Sequence, residues 1–298
     1  NEEKAKFSTA RWEEFKKDVT YFRGNFGGPT SWNKLMMDLG YNPPPMWTMV
    51  GGAFSSRIST SNFWGMEALS LIDIALMALA AGMVLWAFGP QAMFFMIIVM
   101  ASQYVTSFWT LKGAFMRLDW VLCLVMAACL LKKDWWIPAG ILMGWAVCSR
   151  VFPAVFGFGI GAKFLLELLL DRKINRNYLK CLVAMGLTVF FCAALSWMMF
   201  GTEYWKEFYA KITEHNDEMS AWRIGFKYVW LMSYRAGLPG MGMSGLDAEF
   251  ARTAFGYHAV QLAALAISVP LMRKLEPYKA LCFGFVPAFF LVATTFYY

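Results

Sequence analysis

Charged side chains at the ends of long apolar runs are the residues in this sequence best suited to chemistry. Arg117 and Asp119 open the run that begins at 118, Arg150 closes the run that ends at 150, and Asp18 follows an amphipathic segment starting at Ser8-Thr9-Ala10-Arg11-Trp12. Ionisable groups within or beside an apolar span are costly, so they face a cavity, a partner or a substrate. Arginine presents a planar fork of donors that matches phosphate oxygens, and two arginines at one depth would hold a phosphate or pyrophosphate. An Arg117–Asp119 ion pair and an Arg150 contact to a lipid head group fit the same facts, and by residue type alone these plainer readings are the commoner ones. His215-Asn216-Asp217-Glu218 is the densest polar cluster. One histidine among neighbouring acids has no established ligand spacing, so no metal is assigned and the cluster reads as solvated. His258 reads as a hydrogen-bonded bundle histidine, while Asp73 and Glu67 either line a cavity or pair within the bundle.

Hydropathy sets the elements that must position these groups. Hydrophobic residues make up 59% of the chain and charged residues 16%, whereas a soluble domain carries about a quarter charged. The apolar residues fall in continuous blocks at 67–88, 91–110, 118–131, 136–150, 152–170, 180–200, 254–271 and 279–298. A backbone buried in lipid must satisfy its own hydrogen bonds, so continuous runs predict helices rather than the alternating strands of a barrel. The expected fold class is all-α: a polytopic transmembrane bundle of about eight helices. Its third and fourth helices are short enough to pack inside the bundle. Residues 1–62 and 201–253 are polar, aromatic and rich in turn signals, and read as two long loops; 63–200 and 254–298 form the two parts of one membrane domain. Asn42-Pro43-Pro44-Pro45 forces an extended stretch that makes a rigid aromatic edge with Tyr41 and Trp47. The glycines at 157, 159 and 161 permit close helix contact, and the six cysteines, all inside apolar blocks, read as small packing residues.

The net charge of +7 is scattered in short clusters between the blocks, which argues against a nucleic-acid surface and for membrane orientation. Lys132, Lys133, Arg172, Lys173, Arg176, Lys180, Arg273, Lys274 and Lys279 occupy short connections. Basic short loops favour the cytoplasmic side, which puts both long loops outside. Asn1 is then external too, so a preceding helix or a cleaved signal is expected upstream of it.

The order of features resembles the GT-C superfamily of membrane glycosyltransferases, in particular the bacterial polyprenol-phosphate-sugar-dependent mannosyltransferase type, over most of the chain. The clearest stretch runs from Gly113 to Pro153, where Arg117-Leu118-Asp119-Trp120, a hydrophobic run, Lys132-Lys133, Ala139-Gly140-Ile141-Leu142-Met143-Gly144 and Arg150-Val151-Phe152-Pro153 follow in family-like order. Family members often carry lysine in place of Arg150, which preserves the charge. Asp18-Val19-Thr20-Tyr21 is similar to the acidic motif at the start of the family's first external loop, and Tyr41-Asn42-Pro43-Pro44-Pro45 to its later aromatic-proline segment. That order favours Asp18 over Asp38 and Asp217. No Asp-x-Asp pair stands in the first loop, so the metal-dependent members match less well.

The resemblance implies transfer of a sugar from a polyprenyl-phosphate donor to an acceptor hydroxyl, on the periplasmic face of a bacterial inner membrane. Asp18 would be the general base, and Arg150 with Arg117 would stabilise the phosphate leaving group. Asp119 would stand beside them, and His215 would orient sugar or phosphate. No cofactor is expected, since the lipid-linked sugar is a substrate; membrane lipids are the other expected partners. Two other classes stay open: a non-catalytic member of an assembly with other membrane subunits, and a lipid or solute transporter. The related halves common in transporters are not visible in the sequence.

Overall fold

Each apolar run becomes a helix because its backbone has no water to pair with. The computed structural model describes residues 2–5, 7–25, 32–33, 43–102, 115–217, 223–235, 243–292 and 294–295. Its main helices are α1 (Thr9–Asn25), α2 (Pro45–Ser55), α3 (Phe63–Ser70), α4 (Ile72–Phe88), α5 (Pro90–Ser102), α6 (Asp119–Lys132) and α7 (Trp136–Ser149). After a 3-10 turn at Phe152–Phe156 come α8 (Gly157–Leu170), α9 (Arg176–Asp217), α10 (Phe226–Arg235), α11 (Met243–Lys274), α12 (Pro277–Cys282) and α13 (Phe285–Leu291). The fold is the expected all-α membrane bundle. Among the described residues, Phe63–Phe88, Phe152–Leu170, Arg176–Glu214 and Phe250–Lys274 are long and apolar enough to cross a membrane. Pro90–Ser102, Trp136–Ser149 and Pro277–Leu291 are shorter apolar helices, and part of the run at 91–110 lies outside the described residues.

The two short blocks form the centre. Helices α6 and α7 have 14 residues each, which gives about 21 Å of rise, less than a hydrocarbon core. Helix α6 is buried along most of its length, packed by α4, α7 and α12. Leu122, Ala127 and Cys129 on α6, Met143 on α7 and Ile160 on α8 are almost fully enclosed. Close approach of α7 to α9 depends on Gly140 and Gly144. A Cβ on Gly140 would run into the Cys181 carbonyl, and one on Gly144 would sit 2.6 Å from Thr188 Cβ. This is small-residue packing spaced four apart on one helix face. Of the glycines expected to allow contact, Gly159 lies against Ala280 and Gly157 against Met185, whereas Gly161 faces open space. Cys123, Cys129, Cys148 and Cys181 are buried packing residues, while Cys282 is exposed. The outer surface is apolar, with Phe95 70% and Met198 82% exposed, as lipid contact requires.

Where the sequence reads as a loop from 201 to 253, much of the chain is helical. Helix α9 bends at Gly201, whose φ of 75° is left-handed, and then continues as a polar, aromatic helix. Helix α10 packs on α11 through a stacked Phe226–Tyr257 pair and a hydrogen bond from the Trp230 indole to Thr253. Arg223–Ile224 pairs antiparallel with Thr294–Thr295. Phe200–Tyr204 and Trp205–Phe208 pack within α9 itself, whereas α10 is held by rings from α11 and α13.

The basic short connections gather at one end. Lys132 pairs with Glu276 at 3.6 Å and Arg273 with Asp171 at 2.7 Å. The Lys163 ammonium donates to the carbonyls of Met272, Arg273 and Leu275, capping the C-terminus of α11 in the sense its dipole favours. Lys132 lies over the Tyr278 ring and Lys133 over Trp86.

Candidate functional site

Asp73, in the first turn of α4, is 1% exposed. Its carboxylate accepts the backbone N–H groups of Arg117 at 2.9 Å and Leu118 at 3.3 Å. These donors stand at the entry to α6, so a side chain from another helix supplies the acceptors that a helix start requires. The residue just before, Met116, has a φ of 46° with its side chain buried. Non-glycine residues rarely adopt this conformation, and it persists where surrounding contacts fix it. Arg117 therefore leaves the backbone in a set direction.

Asp119, the first residue of α6, is also 1% exposed. Ser149 donates its hydroxyl to one carboxylate oxygen at 2.7 Å, and the Trp145 indole donates to the other at 3.1 Å. Trp145 and Ser149 are four residues apart and so share one face of α7. Helix α7 ends there because Arg150 is extended, with φ −145° and ψ 130°. The Arg150 guanidinium donates back to the Ser149 carbonyl at 2.9 Å. Arg150 thus follows directly on a residue that holds the Asp119 carboxylate, while Arg117, two residues before Asp119, is held through its backbone N–H by Asp73.

Helix α2 closes one flank. The Trp47 ring lies 5.8 Å from the Arg150 guanidinium carbon and 6.0 Å, edge to face, from Phe115. One residue on, Thr48 accepts a long hydrogen bond from the Tyr204 hydroxyl at 3.4 Å, which links α2 to the part of α9 beyond its Gly201 bend. Pro45 opens α2 and is buried together with Met46, so the extended stretch expected there ends at Pro44, and Tyr41 and Asn42 lie outside the described residues.

Of the expected site residues, the structure brings Asp119 to the end of α7 beside Arg150 through Ser149 and Trp145, and holds the backbone of Arg117 on Asp73. Asp18 stands apart on α1, where it accepts from the Thr60 hydroxyl at 2.9 Å and lies 3.8 Å from Arg11. His215 falls in the last turns of α9, and its side chain, like Asp38, lies outside the described residues. His258 is exposed, and its Nδ1 is 2.8 Å from the side-chain oxygen of Gln261 one turn along the same helix. Sequence reading did not single out Trp145, Ser149, Thr48 or Tyr204. The spacing of four between Trp145 and Ser149 was the available signal, and it gains meaning only once Asp119 is seen opposite. Among the described residues, no group of three or more His, Cys, Asp or Glu side chains converges as metal ligands would.

No curated protein and no solved structure matches the chain. The profile of glycosyltransferase family 87 matches residues 44–295. The matched region begins at the proline run before α2, includes Arg117, Asp119 and Arg150, and leaves out α1 with Asp18. Because that match spans most of the sequence, the chain belongs to glycosyltransferase family 87.

Proposed function

We propose that this glycosyltransferase moves a sugar from a polyprenyl-phosphate donor to an acceptor hydroxyl on the non-cytoplasmic face of its membrane. The observation that carries the reading is Arg150 placed next to the buried Asp119–Ser149 hydrogen bond, with Arg117 at the entry to the helix that Asp119 opens. Arg117 and Arg150 cannot lose their charge and present forked donors, so they suit the phosphate from which the sugar departs. Their fixed placement suits stabilisation of the negative charge that grows on that phosphate as the glycosidic bond breaks. An apolar surface around a bundle of this kind gives a prenyl chain direct access from lipid. A mannosyl donor is the specific reading that the superfamily resemblance favours.

Asp18 is the proposed base for the acceptor hydroxyl. Its anchor, Thr60, precedes α3, and α3 and α4 rise about 15 Å between Phe63 and Asp73. A base must come within about 3 Å of the proton it takes, so the acceptor hydroxyl has to be presented at Asp18. Glu67, half-buried on α3, is the competing acid nearer the arginines along that axis.

The test uses purified protein in proteoliposomes with a polyprenyl-phosphate sugar. Arg150→Ala should abolish most turnover and weaken donor binding, while Arg150→Lys should retain part of both. Asp18→Asn should lower the rate by roughly 10²–10⁴-fold with donor binding kept. Full turnover in Asp18→Asn, with loss in Glu67→Gln or Asp38→Asn, would move the base to that acid. Wild-type protein that transfers no sugar from any such donor would overturn the donor assignment.

A further inference from the structure

Helix α1 buries none of its residues, yet its first turns carry a cluster of three aromatic rings. Phe7, Trp12 and Phe15 meet one another with ring centroids 5.5–5.6 Å apart. Part of this cluster is a cap. The Ser8 hydroxyl accepts the Arg11 N–H at 3.3 Å, and Phe7 against Trp12 is the apolar staple that such a cap uses to fix the entry of the chain. Phe15 has no part in the cap and is 37% exposed. At 100° per residue, Trp12, Phe15, Val19 and Phe22 fall within one arc of about 80°. Arg11 borders that arc on one side, Lys16 and Arg23 border it on the other, and Glu13, Glu14 and Lys17 lie on the far side.

A contact in the middle of α1 sets its depth. Asp18 accepts the Thr60 hydroxyl at 2.9 Å, and Thr60 stands just before Phe63, where the apolar helical stretch Phe63–Phe88 begins. That stretch has 26 residues and rises about 39 Å, more than a hydrocarbon core of about 30 Å. Its ends therefore reach the head-group layers. Phe63 and Trp64 at this end are 57% and 78% exposed, as residues of an aromatic belt are where lipid meets water. The middle of α1 is thus tied to the bundle at head-group depth, where an aromatic arc bordered by basic side chains fits a bilayer surface: the rings sit at the acyl boundary and the basic stems reach outward to phosphate and water. We propose that α1 is an interfacial helix that lies on the bilayer through Trp12, Phe15 and Val19, and so holds Asp18 at head-group level. Helix α1 carries four bases, Arg11, Lys16, Lys17 and Arg23, against three acids, Glu13, Glu14 and Asp18, so burial of the rings rather than attraction to anionic lipid carries the contact. It is independent of the donor that the enzyme uses.

The test uses full-length protein in phosphatidylcholine vesicles, with p-acetylphenylalanine introduced at Glu13, Phe15, Lys17 or Val19, one site at a time, and coupled to a nitroxide. This chemistry leaves the six native cysteines in place. In power-saturation EPR, labels at 15 and 19 should be open to oxygen and shielded from a water-soluble nickel chelate, at about 5–10 Å into the boundary of head groups and acyl chains. Labels at 13 and 17 should show the reverse. Site 19 keeps all three rings intact, so loss of a ring through labelling does not decide the result. Adding Trp12→Ser and Phe15→Ser should raise nickel access at 19 to the level found at 17. Nickel access at 19 that already equals that at 17 without these changes would overturn the proposal and put the helix in water. Shielding of 15 and 19 from both oxygen and nickel would overturn it as well, in favour of a protein neighbour.

Discussion

A carboxylate as enclosed as Asp119 keeps its place only while both oxygens are paired, because an unpaired buried charge is strongly disfavoured. Its two donors, from Ser149 and Trp145, tie the start of α6 to the end of α7, and Arg150, next to Ser149, inherits that rigidity. Asp119→Ala leaves both donors without an acceptor and should destabilise the protein by about 2–5 kcal/mol, with Ser149→Ala costing less, about 1.5 kcal/mol. Thermal unfolding in detergent would check this, and an Asp119→Ala melting curve matching wild type would remove the clamp. The ionisable residues were legible in the sequence as candidates, because charge beside an apolar run is rare and costly. Their partnerships were not. Asp73 reaches backbone groups 44 residues away, and Trp47 meets Arg150 across more than 100 positions. No local period encodes such contacts; they follow from how helices α2, α4, α6 and α7 pack.

The two short central helices were readable in extent, whereas the runs at 180–200 and 254–271 extend as Arg176–Asp217 and Met243–Lys274 well past their apolar ends. The runs at 118–131 and 136–150 became Asp119–Lys132 and Trp136–Ser149, and their shortness correctly marked them as interior. The stretch from 201 to 253, read as a long loop between apolar blocks, is helical over most of its described residues, and the stacking of Phe226 on Tyr257 from α11 is a contact that no local pattern announces. Close packing of α7 on α9 gives a sharp test at the level of elements. Gly144→Ala forces a methyl against Thr188 and the Met185 carbonyl and should destabilise by about 1–3 kcal/mol. Gly161→Ala meets nothing within 4 Å and should stabilise slightly, by about 0.5–1 kcal/mol, through helix propensity alone. Chemical or thermal unfolding of the pair would show opposite signs; equal destabilisation would mean that contact geometry is not the cause.

The molecule as a whole is polarised, with the basic connections tied together at one end and α2, the arginine pair and the late part of α9 at the other. Basic short loops face the cytoplasm, so cysteine placed at Lys173 or Lys274 should resist labelling from outside intact cells, and cysteine at Ser56 or Glu203 should react. The native thiols must first be replaced, since Cys282 is exposed; the reverse pattern would invert the orientation. At the basic end, hydrogen bonds from Lys279 and Tyr278 push the Glu276 carboxyl down to about 2. A depressed carboxylate stabilises above its ordinary value near 4.5 and loses that effect as pH falls through about 2. The difference in melting temperature between wild type and Glu276→Gln should thus be constant from neutral pH to about 5 and shrink below it; a difference independent of pH down to about 2 would mean that this carboxylate does not tie the end together. The pairing of Arg223–Ile224 with Thr294–Thr295 adds an order in time. Segment 223–224 leaves the ribosome some seventy residues before its partner, so through the insertion of α11, α12 and α13 it must wait with its strand edge open. This corner of the fold can therefore close only late in synthesis.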